Sequence, residues 1–245
     1  MKIIFNADDY GFSKGINLGI IDAYENGVVR SATMMANMPG FEHGVSLWKS
    51  SAGLKIGAHL VLTTGPSLGG PYKTITDNAG NFLNQTVIVQ RARALELDLS
   101  EIKKEFTLQI ERILAAGVPI THFDGHHHVH SLPGVIDVVI KLAKKYGVTV
   151  RAFDNTLVDC PGILPPAFDG TFYGEAATLG HLEHILSNCS EDTEIMCHPG
   201  YVDGYLYSRS TYNICRVKEL LVLTDPQAKA LVEKYGHVLS SFADI

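Results

Sequence analysis

No stretch of the chain approaches the ~18 consecutive apolar residues that a membrane-spanning helix needs, so a helical membrane protein is excluded. The apolar stretch before Asn6 is also too short for the core of a secretory signal, and a cytoplasmic protein with no membrane partner is expected. Basic residues are not in excess. The chain carries 20 Lys and Arg against 26 Asp and Glu, a net charge of −6. Nucleic-acid binders need a basic face that replaces counterions on phosphates, and the scattered Lys and Arg here make none. The four cysteines, Cys160, Cys189, Cys197 and Cys215, lack Cys-x-x-Cys spacing and read as free thiols, mostly core filler. Gly-x-Gly-x-x-Gly, the P-loop and Gly-x-Ser-x-Gly are all absent, so nucleotide and serine-hydrolase chemistry have little to stand on.

What is present is an ordinary globular composition, 46 % hydrophobic and 19 % charged over 245 residues. That length suits one large α/β domain, and no repeat or linker divides residues 1–245. Short apolar runs alternate with segments of helical period. Strands are predicted over 2–6, 28–36, 54–62, 120–124, 148–152, 194–197 and 237–242. Helices are predicted over 14–26, 41–49, 101–116, 133–146, 179–188, 212–223 and 226–235. Gly27 reads as a C′ glycine, Ser100 as an N-cap, and Asp225-Pro226 as an N-cap followed by proline at N1. The segments 63–85 and 153–174 are crowded with Gly and Pro, have no period, and are expected to be irregular. Strands separated by helices require parallel pairing, and about seven such strands suit a distorted (β/α) TIM-like barrel. A doubly wound open sheet is the competitor.

In either architecture chemistry collects where strands end, and the unusual polar residues fall there. Asp8-Asp9 follows the first strand. Adjacent carboxylates repel, so a cation, a helix N-terminus or water must offset the cost. One reading makes them a turn and N-cap; the other divides them into a metal ligand and a general base. His59 lies near the far end of an apolar strand, as a core histidine or a ligand. Residues 122–130 hold five of the eleven histidines: His122, His126, His127, His128 and His130. Imidazole is the commonest neutral nitrogen ligand for transition metals, so at least one of these is expected to bind a cation. In an extended segment His126, His128 and His130 would share one face. Asp124 is placed to accept from a ligand's second ring nitrogen. Arg151 ends the fifth strand. His198, in a Pro-Gly turn after the sixth, is either a solvated turn residue or a general acid.

Asn6-Ala7-Asp8-Asp9-Tyr10-Gly11, Gly57-Ala58-His59-Leu60-Val61-Leu62-Thr63, Asp124-Gly125-His126-His127-His128-Val129-His130 and Cys197-His198-Pro199-Gly200-Tyr201-Val202-Asp203 together resemble the YdjC/ChbG carbohydrate deacetylases. The segments Phe172-Tyr173-Gly174-Glu175 and 216–223 are similar as well, and the likeness runs from the first strand to the last. It implies a distorted (β/α) barrel, a divalent cation given as magnesium, and removal of acetyl groups from N-acetylated sugars such as chitooligosaccharides. Carried over by position, it implies Asp9, His59 and His126 as metal ligands, Asp8 as the base for metal-bound water, and His198 as the acid. Tyr10 and Gly125 stand where phenylalanine and serine are frequent. Ligand chemistry pulls elsewhere on the metal: two imidazoles suit zinc, manganese or iron better than magnesium. Arg151, His128, Tyr201 and Tyr173 are expected to touch an acetylated mono- or oligosaccharide, and Trp48 is a further ring for stacking. A homodimer is compatible with a barrel of this size. The alternatives are another metal-dependent barrel hydrolase, a phosphoesterase or amidohydrolase, or a non-catalytic carbohydrate-binding protein.

Overall fold

The computed structural model describes residues 1–153 and 162–245. Cys160 and part of the irregular segment expected at 153–174 lie outside these residues. By compactness the chain divides into one unit of Met1–Met34, Pro39–Ile56 and Pro166–Ile245, and another of Met35–Met38 and Gly57–Pro165.

The first unit is built on β1 (Lys2–Tyr10). Ile3, Ile4, Phe5 and Ala7 are fully buried, as a parallel strand covered on both faces requires. β1 pairs in parallel with β2 (Ser31–Met34), with β7 (Thr193–Cys197) and, at its start, with β8 (Val238–Leu239). β6 (Ala167–Asp169) pairs in parallel with β7. Parallel neighbours need long crossovers. Helices α1 (Lys14–Glu25), α2 (Phe41–Ser50), α6 (Leu179–Asn188), α7 (Gly204–Arg209), α8 (Ile214–Leu223) and α9 (Pro226–Lys234) lie between the strands in sequence. The expected strand over 2–6 is longer: β1 continues through Asp8 and Asp9, with its register against β2 slipping between Ala7 and Tyr10. α1 is capped at its start by Ser13 and ends at Asn26 with φ −109°. Gly27 is therefore not the left-handed cap expected of it. It is needed for close approach, because a Cβ there would lie 2.3 Å from the Leu223 carbonyl oxygen.

In the second unit β3 (Lys55–Leu60), β4 (Ile120–Gly125) and β5 (Thr149–Val150) follow one another side by side, and β4 pairs with β5 in parallel. α3 (Gln85–Arg93), α4 (Leu99–Ala115) and α5 (Val135–Tyr146) complete it. The N-cap of α4 is Asp98, whose carboxylate accepts from the Ser100 backbone N–H, so Ser100 lies inside the helix rather than at its cap. Gly117 and Gly147 follow α4 and α5 in the left-handed conformation that favours glycine. The buried stripe of α4 includes Glu105 and Gln109 among Ile102, Phe106, Ile110 and Ile113. Gln109 bonds both the N–H and the carbonyl of Val61 at 2.9 Å, and Glu105 accepts from the N–H groups of Leu68 and Gly69 at 3.0 Å. These side chains supplement the segment's own backbone bonds, such as Phe82 N–H to the Gly65 carbonyl at 2.9 Å, in satisfying the aperiodic chain after β3.

The α/β class and the parallel, barrel-type strand topology expected from the sequence are borne out. α3, α7 and the three-residue β6 were not foreseen. Among the described residues no helix is long and apolar enough to cross a membrane. Cys189, Cys197 and Cys215 are free thiols.

Candidate functional site

The register slip in β1 is where its two carboxylates sit. Asp9 has φ +70°, a left-handed conformation unusual for a non-glycine residue. Asp8 and Asp9 are 3 % and 2 % exposed, so each charge needs a partner. Asp8 Oδ1 accepts from Asn6 Nδ2 at 2.9 Å. Asp9 Oδ2 accepts from Arg216 Nη2 at 2.5 Å, and Arg216 is itself buried, with Nε donating to the Tyr212 carbonyl at 2.9 Å.

His198 follows β7 and lies against the same group. Its Nε2 is 3.9 Å from Asp8 Oδ2, too long for a hydrogen bond. Its Nδ1 is 3.8 Å from Glu219 Oε2, and its backbone N–H donates to that same oxygen. Glu219 is fully buried, and burial pushes its carboxyl up to about 7. Its other oxygen accepts from the Tyr212 hydroxyl, which in turn accepts from the Gly174 N–H at 2.7 Å. Burial and the neighbouring Glu219 carboxylate raise the Tyr212 phenol far above its ordinary range. Tyr173 stacks on Tyr212 at 4.2 Å between ring centres, and its ring meets that of His198 edge-on at 5.4 Å. Tyr173 remains 46 % exposed, an aromatic face open to solvent beside the imidazole. Tyr201 is also exposed, but its hydroxyl donates to the Asp22 carboxylate on α1. Trp48 points its indole N–H at the Leu54 carbonyl, 3.0 Å away.

Arg216 and Glu219 were not singled out in the sequence, yet a signal was there. The buried stripe of α8 runs Arg216, Glu219, Leu220, Leu223, so two charges occupy positions that the helical period assigns to the core.

The second unit holds the histidines. His59, on β3, places Nδ1 2.7 Å from Asp124 Oδ1 on β4. The other Asp124 oxygen lies 3.1 Å from Arg151 Nη1, just beyond β5. All three side chains are buried. Arg151, expected to touch substrate, therefore has its guanidinium enclosed beside Asp124. With Nδ1 directed at a carboxylate, the His59 ring offers Nε2 as its ligand atom. The His126 ring centre is 5.6 Å from that of His59.

The histidine cluster is not an extended segment. Residues His126–Ser131 form a 3₁₀ segment broken by φ +55° at both His127 and His128. The expected sharing of one face by His126, His128 and His130 fails for that reason. The His127 ring lies 3.9 Å from that of His126, with Nδ1 2.9 Å from Thr63 Oγ1. The His128 ring stacks on Phe153 at 3.9 Å, and His130 is buried. His122 is buried too, and its ring fills the space a side chain on Gly57 would need.

These donor sets suit a divalent cation. In the second unit a fixed imidazole with a carboxylate behind it and a second imidazole beside it are ligand types found in sites for zinc and related ions.

The family model described as "YdjC-like protein" matches residues 2–234. A protein of Clostridium beijerinckii named carbohydrate deacetylase is 39 % identical over 260 residues, covering 100 % of both chains. Carbohydrate deacetylase 1 of Listeria innocua is 39 % identical over 251 residues, again covering 100 % of both. Among solved structures, a provisionally named cellobiose-phosphate cleavage protein from Enterococcus faecalis V583 superposes with a TM-score of 0.91 at 28 % identity, covering 99 % of this chain and 98 % of that one. The chain belongs to the YdjC-like protein family.

Proposed function

We propose that this chain is a metal-dependent carbohydrate deacetylase, acting as one domain to hydrolyse the acetamide of N-acetylated sugars of the chitooligosaccharide type. Full-length relatives that carry the deacetylase name support the reaction class. The observation that carries the reading is the pairing of a buried carboxylate, Asp8, with a 12 % exposed imidazole, His198, at a separation that lets each handle a different proton. Amide hydrolysis needs one group to take a proton from water and another to give one to the departing amine.

Asp9, His59 and His126 would hold the cation. When bound, a divalent ion polarises the acetyl carbonyl and makes water more acidic. The family likeness points to magnesium, whereas two imidazoles favour zinc, manganese or iron. Asp8, oriented by Asn6, takes the water proton. His198 gives its Nε2 proton to the leaving nitrogen. Tyr173 offers its exposed face to a sugar ring, and His128, within the histidine segment, offers a polar contact. Arg151 holds Asp124, and Asp124 holds His59.

Acetate release from N-acetylglucosamine oligomers, with metal content measured on the same sample, tests the reading. Acetate formed by the metal-loaded protein and lost on chelation is the expected result. Sugar binding by calorimetry with no acetate released would overturn it in favour of a binding protein.

A further inference from the structure

We propose that Glu219 is a positioning residue for His198: its buried carboxylate fixes the imidazole with Nε2 toward Asp8 and stabilises the protonated ring. The inference rests on the reading of His198 as the proton donor.

One oxygen of Glu219 accepts the His198 backbone N–H, which restrains where the residue starts, and lies 3.8 Å from ring Nδ1, beyond hydrogen-bond reach but close enough for its charge to favour a protonated ring turned that way. The ring then has Nδ1 on the Glu219 side and Nε2 on the Asp8 side. A carboxylate behind an imidazole that must carry charge is the arrangement used by acid–base histidines in general. The second Glu219 oxygen is held by the Tyr212 hydroxyl, so the carboxylate cannot swing away without losing a buried hydrogen bond. Tyr212 is fixed in turn by the Gly174 N–H and by the stacked ring of Tyr173.

Among the described residues, the charged and titratable groups around Glu219 include His198, Tyr212, Tyr173, Arg216 on its own helix, and Asp8 on β1. Asp8 and Glu219 lie on opposite sides of the imidazole, while the guanidinium of Arg216 is paired with Asp9. α8 therefore presents two buried charges three residues apart. Arg216 serves Asp9, and Glu219 serves His198. In the transfer itself the Nε2–H bond of the imidazolium breaks and an N–H bond to the amine forms. Glu219 keeps its own proton state and releases the ring as neutral imidazole.

The test is Glu219→Gln, with Glu219→Asp beside it, in the metal-loaded full chain. Two readouts are followed: kcat and KM for acetate release from an N-acetylglucosamine oligomer across pH, and the His198 titration by NMR. Glu219→Gln is expected to lower kcat by roughly 10–10³-fold with little change in KM. Its alkaline limb and the His198 pKa should both move down by about one pH unit. Glu219→Asp, which keeps the charge, should retain the His198 pKa within a few tenths of a unit. An unchanged His198 pKa in Glu219→Gln, or a loss carried wholly by KM, overturns the inference. Should Glu219→Gln not fold, a His198 pKa in Glu219→Asp that falls as far as one pH unit overturns it, and a retained one supports it. The NMR titration needs no turnover. A wild-type protein that releases no acetate would therefore sink the deacetylase reading while still showing whether Glu219 governs the ring.

Discussion

His59 Nδ1 and Asp124 Oδ1 are 2.7 Å apart across neighbouring strands, and the opposite oxygen of Asp124 faces the buried guanidinium of Arg151. One carboxylate thus does two jobs. It fixes the tautomer of a proposed metal ligand, and it neutralises a charge that has no exposure to water.

The two jobs can be separated by mutation. Asp124→Asn should weaken divalent-metal affinity by about 10–100-fold, because an amide no longer holds the His59 ring with Nε2 outward. It should also destabilise the fold by about 3–5 kcal/mol, since it removes the carboxylate charge 3.1 Å from a buried guanidinium. Adding Arg151→Met should recover much of that stability and none of the metal affinity. Chemical denaturation and metal titration on the single and double variants decide this. Recovery of both together would mean that Asp124 acts on the metal only through the stability of the fold.

Asp8→Asn removes the proposed base while keeping the size of the side chain. Acetate release should fall by about 10²–10⁴-fold with the bound metal unchanged. The amide must also rearrange against Asn6, whose Nδ2 donates to Asp8 Oδ1, but that contact is local and should leave the melting temperature within a few degrees. Elemental analysis and initial rates on one preparation give the answer. Wild-type turnover would remove Asp8 from the mechanism.

The sequence carried the parts of the fold that depend on local pattern. β1, β3, β4 and β7 are apolar runs, and α1, α4, α5 and α6 show a helical period, so each was legible. β6 was not, because three residues beside Pro-rich chain show no alternation; its place comes from pairing with β7. Asp98 displaced Ser100 as the cap of α4 because both can accept from an N–H two or three residues ahead, and only the backbone says which does. The polar residues at strand ends were visible one at a time. Their supports were not: Arg216 and Glu219 lie far along the chain from Asp9 and His198, and their partners become known only when α8 packs. The left-handed turns at His127 and His128 were hidden for another reason, since histidine, although enriched at positive φ, adopts it too rarely to be a local signal.

Gly19 ties the geometry of His198 to α1. A Cβ there would lie 2.5 Å from the Cα of Gly200, in the Pro-Gly turn that follows His198. Both sides are backbone, so one must move. Gly19→Ala should cost about 1–3 kcal/mol of overpacking, which outweighs the roughly 1 kcal/mol that alanine gains over glycine in a helix. It should also lower kcat, since displacing a catalytic group by about 1 Å costs up to about 10²-fold. Gly180→Ala is the control. It lies in α6 with nothing within 4 Å of the added Cβ, and it should stabilise by about 0.5–1 kcal/mol with activity unchanged. Denaturation midpoints and kcat for both variants test this. Equal behaviour at the two positions would show that the close approach carries no constraint.

Glu219 also predicts how stability depends on pH. Its carboxyl is raised from 4.5 to about 7 by burial, so between those values the folded chain binds a proton that the unfolded chain has lost, and Glu219 supports a charged His198 ring only where it is itself ionised, toward and above pH 7. The stability this group contributes is fully present below about pH 4.5, declines as pH rises, and is gone above about pH 7. The full swing is on the order of 3 kcal/mol. Glu219→Gln has no such proton, so its stability relative to wild type should improve by that order between pH 4.5 and 8. An offset common to all pH values is expected as well, because an amide cannot accept from both the His198 N–H and the Tyr212 hydroxyl through its nitrogen end. The difference between the two urea-unfolding curves across pH, rather than the value at any one pH, therefore carries the test. Parallel curves would show that Glu219 is ionised throughout, and that His198, Tyr212 and Arg216 together fully offset its burial.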